Sequence, residues 1–99
     1  PRAMAAAEKA YKALPKAPAI QDTYGWALFK AGKTDEAVQV LAEAVKGMPD
    51  SGEVQYHYAA ALAKAGRKDE ARAAAERAVA GALPASLKAE AARLLQDLK

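Results

Sequence analysis

The stretch KAGKTDEA, Lys30 to Ala37, returns 34 residues later as KAGRKDEA, Lys64 to Ala71. Taken alone, Gly32-Lys33-Thr34 is how a phosphate-binding loop ends, but such a loop needs G-x-x-x-x-G-K-[ST] after a strand. Ala27 stands where the first glycine belongs, and the residues before it carry a helical pattern. The second copy reads Gly66-Arg67-Lys68, which keeps the turn and drops the motif. What persists is Gly and Asp-Glu-Ala; Lys33-Thr34 does not. The stretch is therefore read as a helix-capping turn, and its spacing measures a repeat.

The same 34-residue offset relates Gln21 to Gln55, Tyr24 to Tyr58, Leu28 to Leu62, Ala44 to Ala78 and Gly47 to Gly81. A partial copy precedes them, with Ala3, Ala10 and Pro15 matching Ala37, Ala44 and Pro49. Each unit reads as two helices. Ile20, Tyr24, Ala27, Leu28 and Ala31 share one face of a 3.6-residue period. Gly32 supplies a left-handed stop. Thr34 is expected to cap the second helix, with Asp35 and Glu36 near its positive end. That helix turns Ala37, Val38, Leu41, Ala44 and Val45 inward and stops at Gly47, with Pro49 beyond. After Pro84, Ser86 is the expected cap of a last helix striped by Leu87, Ala91, Leu94, Leu95 and Leu98. A terminal helix with one wet face closes a helical stack.

Composition agrees with an all-α chain. Among 99 residues, 53% are hydrophobic, and Ala, the strongest helix former, supplies most of these. Alternating strand-type runs are absent. The formal charge of +3 comes from Lys and Arg interleaved with Asp and Glu, the mark of a solvated surface and not of a nucleic-acid stripe. There is no cysteine and a single His, so a zinc site fails on ligand count. The pairs Asp35/Glu36 and Asp69/Glu70 fall in first turns, where the helix dipole accounts for them without acid–base chemistry. No catalytic residue, metal site or cofactor is expected, and no run is long enough to span a membrane. The chain opens on Pro1 without an initiator Met, which points to an excised fragment, and the closing helix from Ser86 onward points to the C-terminal end of a longer array.

A 34-residue helix–turn–helix period resembles the tetratricopeptide repeat. The family's small residue in helix A corresponds to Gly25 and Ala59, its helix-B alanines to Ala37, Ala71, Ala44 and Ala78, and its closing proline to Pro15 and Pro49. Two departures stand out. Pro84 comes one residue late, and Gln21 and Gln55 replace the large aromatic early in helix A, with Tyr24 and Tyr58 expected to fill part of that volume. The resemblance implies an α-solenoid. Its expected parts are helix B of a half repeat (2–14), two full repeats (18–51 and 52–85) and a capping helix (86–98), all in one domain.

Setting the copies side by side separates packing from other demands. In helix A they diverge at Ala19/Glu53, Asp22/Tyr56, Thr23/His57, Trp26/Ala60 and Phe29/Ala63, all on one side. By resemblance, that side lines the groove where peptides lie in this family. The candidate partner-binding residues are thus Asp22, Thr23, Trp26, Phe29, Lys30, Glu53, Tyr56, His57 and Lys64. The plainer readings are that Trp26 and Phe29 pack against the preceding helix or neighbouring repeat, that Tyr56 and His57 are half-exposed helix residues, and that Lys30 and Lys64 answer helix C-terminal dipoles.

The family's subclass that clamps a C-terminal carboxylate carries Asn where this chain has Trp26 and Ala60, so that mode is not expected. An aromatic groove edged by two lysines suits an apolar or acidic peptide or helix. The expectation is a non-catalytic protein-interaction scaffold. The alternative is a structural or oligomerisation segment of a longer array, self-associating through the N-terminal edge of Met4, Ala7, Tyr11 and Leu14. The segments GWALFKAG (25–32) and ALAKAG (61–66) also resemble turns of bacterial repeat proteins associated with envelope assembly or exopolysaccharide export, which implies the periplasm or cell envelope, with the cytoplasm as alternative.

Overall fold

In the computed structural model, residues 2–99 are described, with side chains from Met4 onward. Pro1, on which the expectation of a cut fragment rests, lies outside them. Six helices follow one another: α1 (Arg2–Ala13), α2 (Pro18–Lys30), α3 (Thr34–Gly47), α4 (Gly52–Lys64), α5 (Lys68–Ala80) and α6 (Ala85–Asp97). Each packs on the next, most extensively within the pairs α2/α3 and α4/α5. The result is an all-α helical-repeat solenoid, 37 × 24 × 22 Å.

The quoted turn has the same build in both copies. Gly32 (φ +84°) and Gly66 (φ +82°) are left-handed. Gly32 N–H donates to Phe29 O and Lys33 N–H to Leu28 O, and Gly66 and Arg67 repeat this onto Ala63 O and Leu62 O. This paired closure satisfies the last carbonyls of each A helix. The amides that a phosphate would need are spent on the helix just ended.

Thr34 is not the cap of α3. Lys33 is, and Thr34 is already helical, with no side-chain capping bond. The junction is so tight that Lys33 both closes α2 and opens α3, its carbonyl accepting from Ala37 N–H at 3.0 Å. Ser86 is likewise inside α6, one residue past its start, and Pro84 occupies the cap position. The serine that does cap is Ser51, whose Oγ accepts from Val54 N–H at 3.3 Å.

Pro84 is late because the chain runs extended at Gly81 (φ −96°, ψ −168°). There Gly52 N–H donates to Ala82 O at 2.8 Å and Ala82 N–H to Asp50 O at 3.3 Å, a short parallel bridge. Pro18 occupies the place of Gly52 one unit earlier and has no N–H to offer.

The core runs along the A/B seams: Leu28, Ala37, Val38 and Leu41 continue into Ala59, Leu62, Ala71 and Ala75, with Leu98 closing the far end. Gly25 lies against Leu41, and a Cβ there would sit 2.6 Å from Leu41 Cγ. The next unit has Ala59 and Ala75 at those two positions, so the bulk is divided differently. Gln21 and Gln55 are buried, and Tyr24 and Tyr58, partly buried, pack against the core. Each glutamine Nε2 donates to the carbonyl of a proline six residues back, Pro15 at 2.8 Å and Pro49 at 3.0 Å. Tyr24 also stacks on Tyr11 of α1, centroids 4.6 Å apart.

Candidate functional site

The A helices α2 and α4, with α6 beyond them, present one side to a groove of about 490 Å³. From α2 come Asp22, Thr23, Trp26 and Lys30, and from α4 Glu53, Tyr56 and His57. The far wall is Pro84, Ser86, Leu87 and Glu90. Seven of the nine residues expected from the sequence therefore meet in one place. Phe29 does not line the groove; it is half-buried, packs toward the core and stacks behind Trp26. Lys64 is exposed at the end of α4 and lies outside the lining. The α6 wall is what sequence reasoning missed. The signal was available in the repeat itself, since a helix following a full unit stands in the A position.

Trp26 organises the site. Its ring stacks on Phe29 with centroids 4.8 Å apart and 10° from parallel, and on His57 at 4.1 Å and 21°. Tyr56 tilts against it at 6.1 Å. The contacts with His57 and Tyr56 join neighbouring repeats, add to burial and help to fix the angle between α2 and α4. Trp26 thus packs on the adjacent unit, as the plainer reading had it, and lines the groove as well. Together with Thr23 and Lys30 it also borders a second cleft of about 320 Å³, between α1 and α2, lined by Met4, Ala7, Ala27 and Ala31.

His57 and Tyr56 are not alike. His57 is only 6% exposed and its Nδ1 lies 2.7 Å from Asp22 Oδ1. A carboxylate only accepts, so the proton on this bond sits on Nδ1. Tyr56 stays half-exposed, and its hydroxyl donates to Glu90 Oε2 over 3.4 Å. Burial first, then the Glu90 charge and this bond, raise the Tyr56 phenol above its ordinary value. The positions where the two copies differ therefore contact one another: Asp22 with His57, and Trp26 with both aromatics.

Charge inside the groove runs opposite to the expected lysine-edged surface. Asp22, Glu53 and Glu90 face one ammonium, Lys30, whose Nζ lies 5.6 Å from the Trp26 centroid. No group of three or more potential metal ligands occurs among the described residues, and no helix there is long and apolar enough to cross a membrane.

Comparison with protein-family models matches residues 28–98 to the tetratricopeptide repeat. The chain belongs to that family, whose repeats generally mediate protein–protein interaction. No curated protein matches it.

Proposed function

We propose that this chain is a non-catalytic interaction scaffold that takes a peptide or helix of a partner protein into the groove between α2, α4 and α6. The observation that carries this reading is the Trp26–Tyr56–His57 cluster on a concave site, in which half-exposed Trp26 and Tyr56 are backed by buried His57. Buried aromatics with a polar rim are where interface energy concentrates. The test is selection of a displayed random-peptide library on the 99-residue chain, then titration of the selected peptides while Trp26 emission is followed. Saturable spectral change and at least about tenfold weaker binding to Trp26→Ala are expected. Equal binding to both proteins overturns the reading.

Of the expected N-terminal edge, Ala7 is buried, Met4 packs against the core and Tyr11 stacks on Tyr24, so what favours the oligomerisation alternative is the exposed remainder of α1 and Leu14. Ala44 and Ala78 are fully buried by their A helices, whereas Ala10, in register with them, is exposed on α1, and Leu14 beside it is 57% exposed. Light scattering over a concentration series decides this: a mass that stays monomeric at all concentrations removes self-association, and one that grows until Leu14→Lys abolishes the growth establishes it.

A further inference from the structure

None of the Lys/Arg–carboxylate pairs among the described residues lies in the groove, whose lining holds three carboxylates and one ammonium. The Lys/Arg–carboxylate pairs among the described residues are Glu43–Lys46, Arg67–Glu70 and Asp69–Arg72. All lie on α3 or at the start of α5, the B helices. In the groove, Asp22 is engaged by His57, but Glu53 and Glu90 have no basic partner among the described residues. Glu53 sits in the first turn of α4, where the helix dipole favours it. Glu90 is in mid-helix and has no such account. Its field reaches into the site, where it helps to raise the Tyr56 phenol. All this occurs on a chain whose net charge is +3, so the negative groove is local and not a reflection of the whole.

The aromatic members point the same way. A ring face attracts a cation, and Lys30 already lies over Trp26. An acidic segment entering here would meet two unpaired carboxylates. A basic one would find both π-surface and acceptors, and a guanidinium is well suited because it stacks and binds carboxylate through the same planar group.

We propose that the groove recognises a basic segment of a partner protein, with an arginine or lysine side chain against Trp26 and Tyr56 and its charge directed to Glu53 and Glu90. This rests on the groove being the partner site. The experiment uses dodecapeptides selected from a random displayed library on the 99-residue chain. Enrichment of Arg and Lys beside apolar residues is expected. A selected peptide should bind about tenfold more weakly to Glu53→Gln/Glu90→Gln, and more weakly to the native chain as salt rises from about 0.05 M to about 0.5 M. Lys30→Glu, which removes the resident cation and adds an acceptor, should bind it more tightly, a gain that misfolding cannot mimic.

Failure has two distinguishable forms. Peptides that depend on Trp26 but are neutral or acidic, or basic ones indifferent to all three charge changes, overturn the charge assignment and leave the groove standing. Failure to enrich any peptide, or peptides indifferent to Trp26→Ala, removes the groove as the site and this inference with it.

Discussion

His57 Nδ1 and Asp22 Oδ1 lie 2.7 Å apart across two repeats, with their side chains only 8% and 14% exposed. The bond joins the middle of α4 to the first half of α2, so it sets how the two A helices meet. Asp22→Ala leaves a buried imidazole N–H without an acceptor and should cost about 1–3 kcal/mol. Asp22→Asn keeps an acceptor oxygen and should cost less. Urea midpoints of the two variants, with His57→Ala for a double-mutant cycle, measure the coupling. A coupling near zero would show that the pair holds nothing together.

Gln55 is 1% exposed; it donates to Pro49 O at 3.0 Å and its Oε1 accepts from Arg77 Nε at 3.3 Å. Gln55→Leu, close in volume, strands the Pro49 carbonyl and should cost about 1–3 kcal/mol. Gln21→Leu should cost less, because Gln21 makes the one equivalent bond, to Pro15. Thermal melts that rank the two the other way contradict this account.

The Gly25–Leu41 contact predicts a change of sign. Gly25→Ala adds helix propensity worth about 1 kcal/mol, yet the new methyl would sit 2.6 Å from Leu41 Cγ, and the variant should be destabilised. Leu41→Ala alone should cost about 2–5 kcal/mol. Placed on that background, Gly25→Ala should stabilise, because the pair then matches Ala59/Ala75 of the following unit. Denaturant midpoints of the four proteins read the cycle.

Alkaline pH offers a check on Tyr56. Its phenol is raised above the ordinary value of 10.0, chiefly by burial and then by Glu90. The unfolded chain therefore loses this proton first. The contribution to stability is intact below the unfolded value and is lost as pH rises through the folded one. Urea midpoints should fall as pH rises beyond the ordinary phenol value of 10.0, and fall less in Tyr56→Phe. An identical fall in both proteins rules Tyr56 out as a source.

How much of this was legible in the sequence follows from what is local. Period, turns and helix faces were readable because glycine stops and apolar spacing act within a few residues. The cap at Thr34 is displaced because Lys33 both closes α2 and opens α3, and the cap at Ser86 because Pro84 holds that position. The groove residues surfaced where the copies disagree, since the shared scaffold cancels in that comparison. Its charge was misjudged because Lys30 and Lys64 were counted by position along one helix, whereas the sign is set by which carboxylates three helices turn inward. Glu90, supplied by a helix read only as a lid, could not enter that count. Gln21 and Gln55 looked like lost aromatics because a bond to a carbonyl six residues back leaves no periodic trace.

The double duty of Lys33 also determines where this chain can change length. One residue added between α2 and α3 separates the closing of one helix from the opening of the next and rotates everything downstream. The links from B to A helices contain no residue that closes one helix and opens the next. The one-residue lag at Pro84 has accumulated there, taken up by the extended backbone at Gly81 and the bridge to Ser51. Insertions should be accommodated after Ala82 and rejected after Gly66, which makes the A-to-B turns the rigid joints of the array and the B-to-A links its adjustable ones.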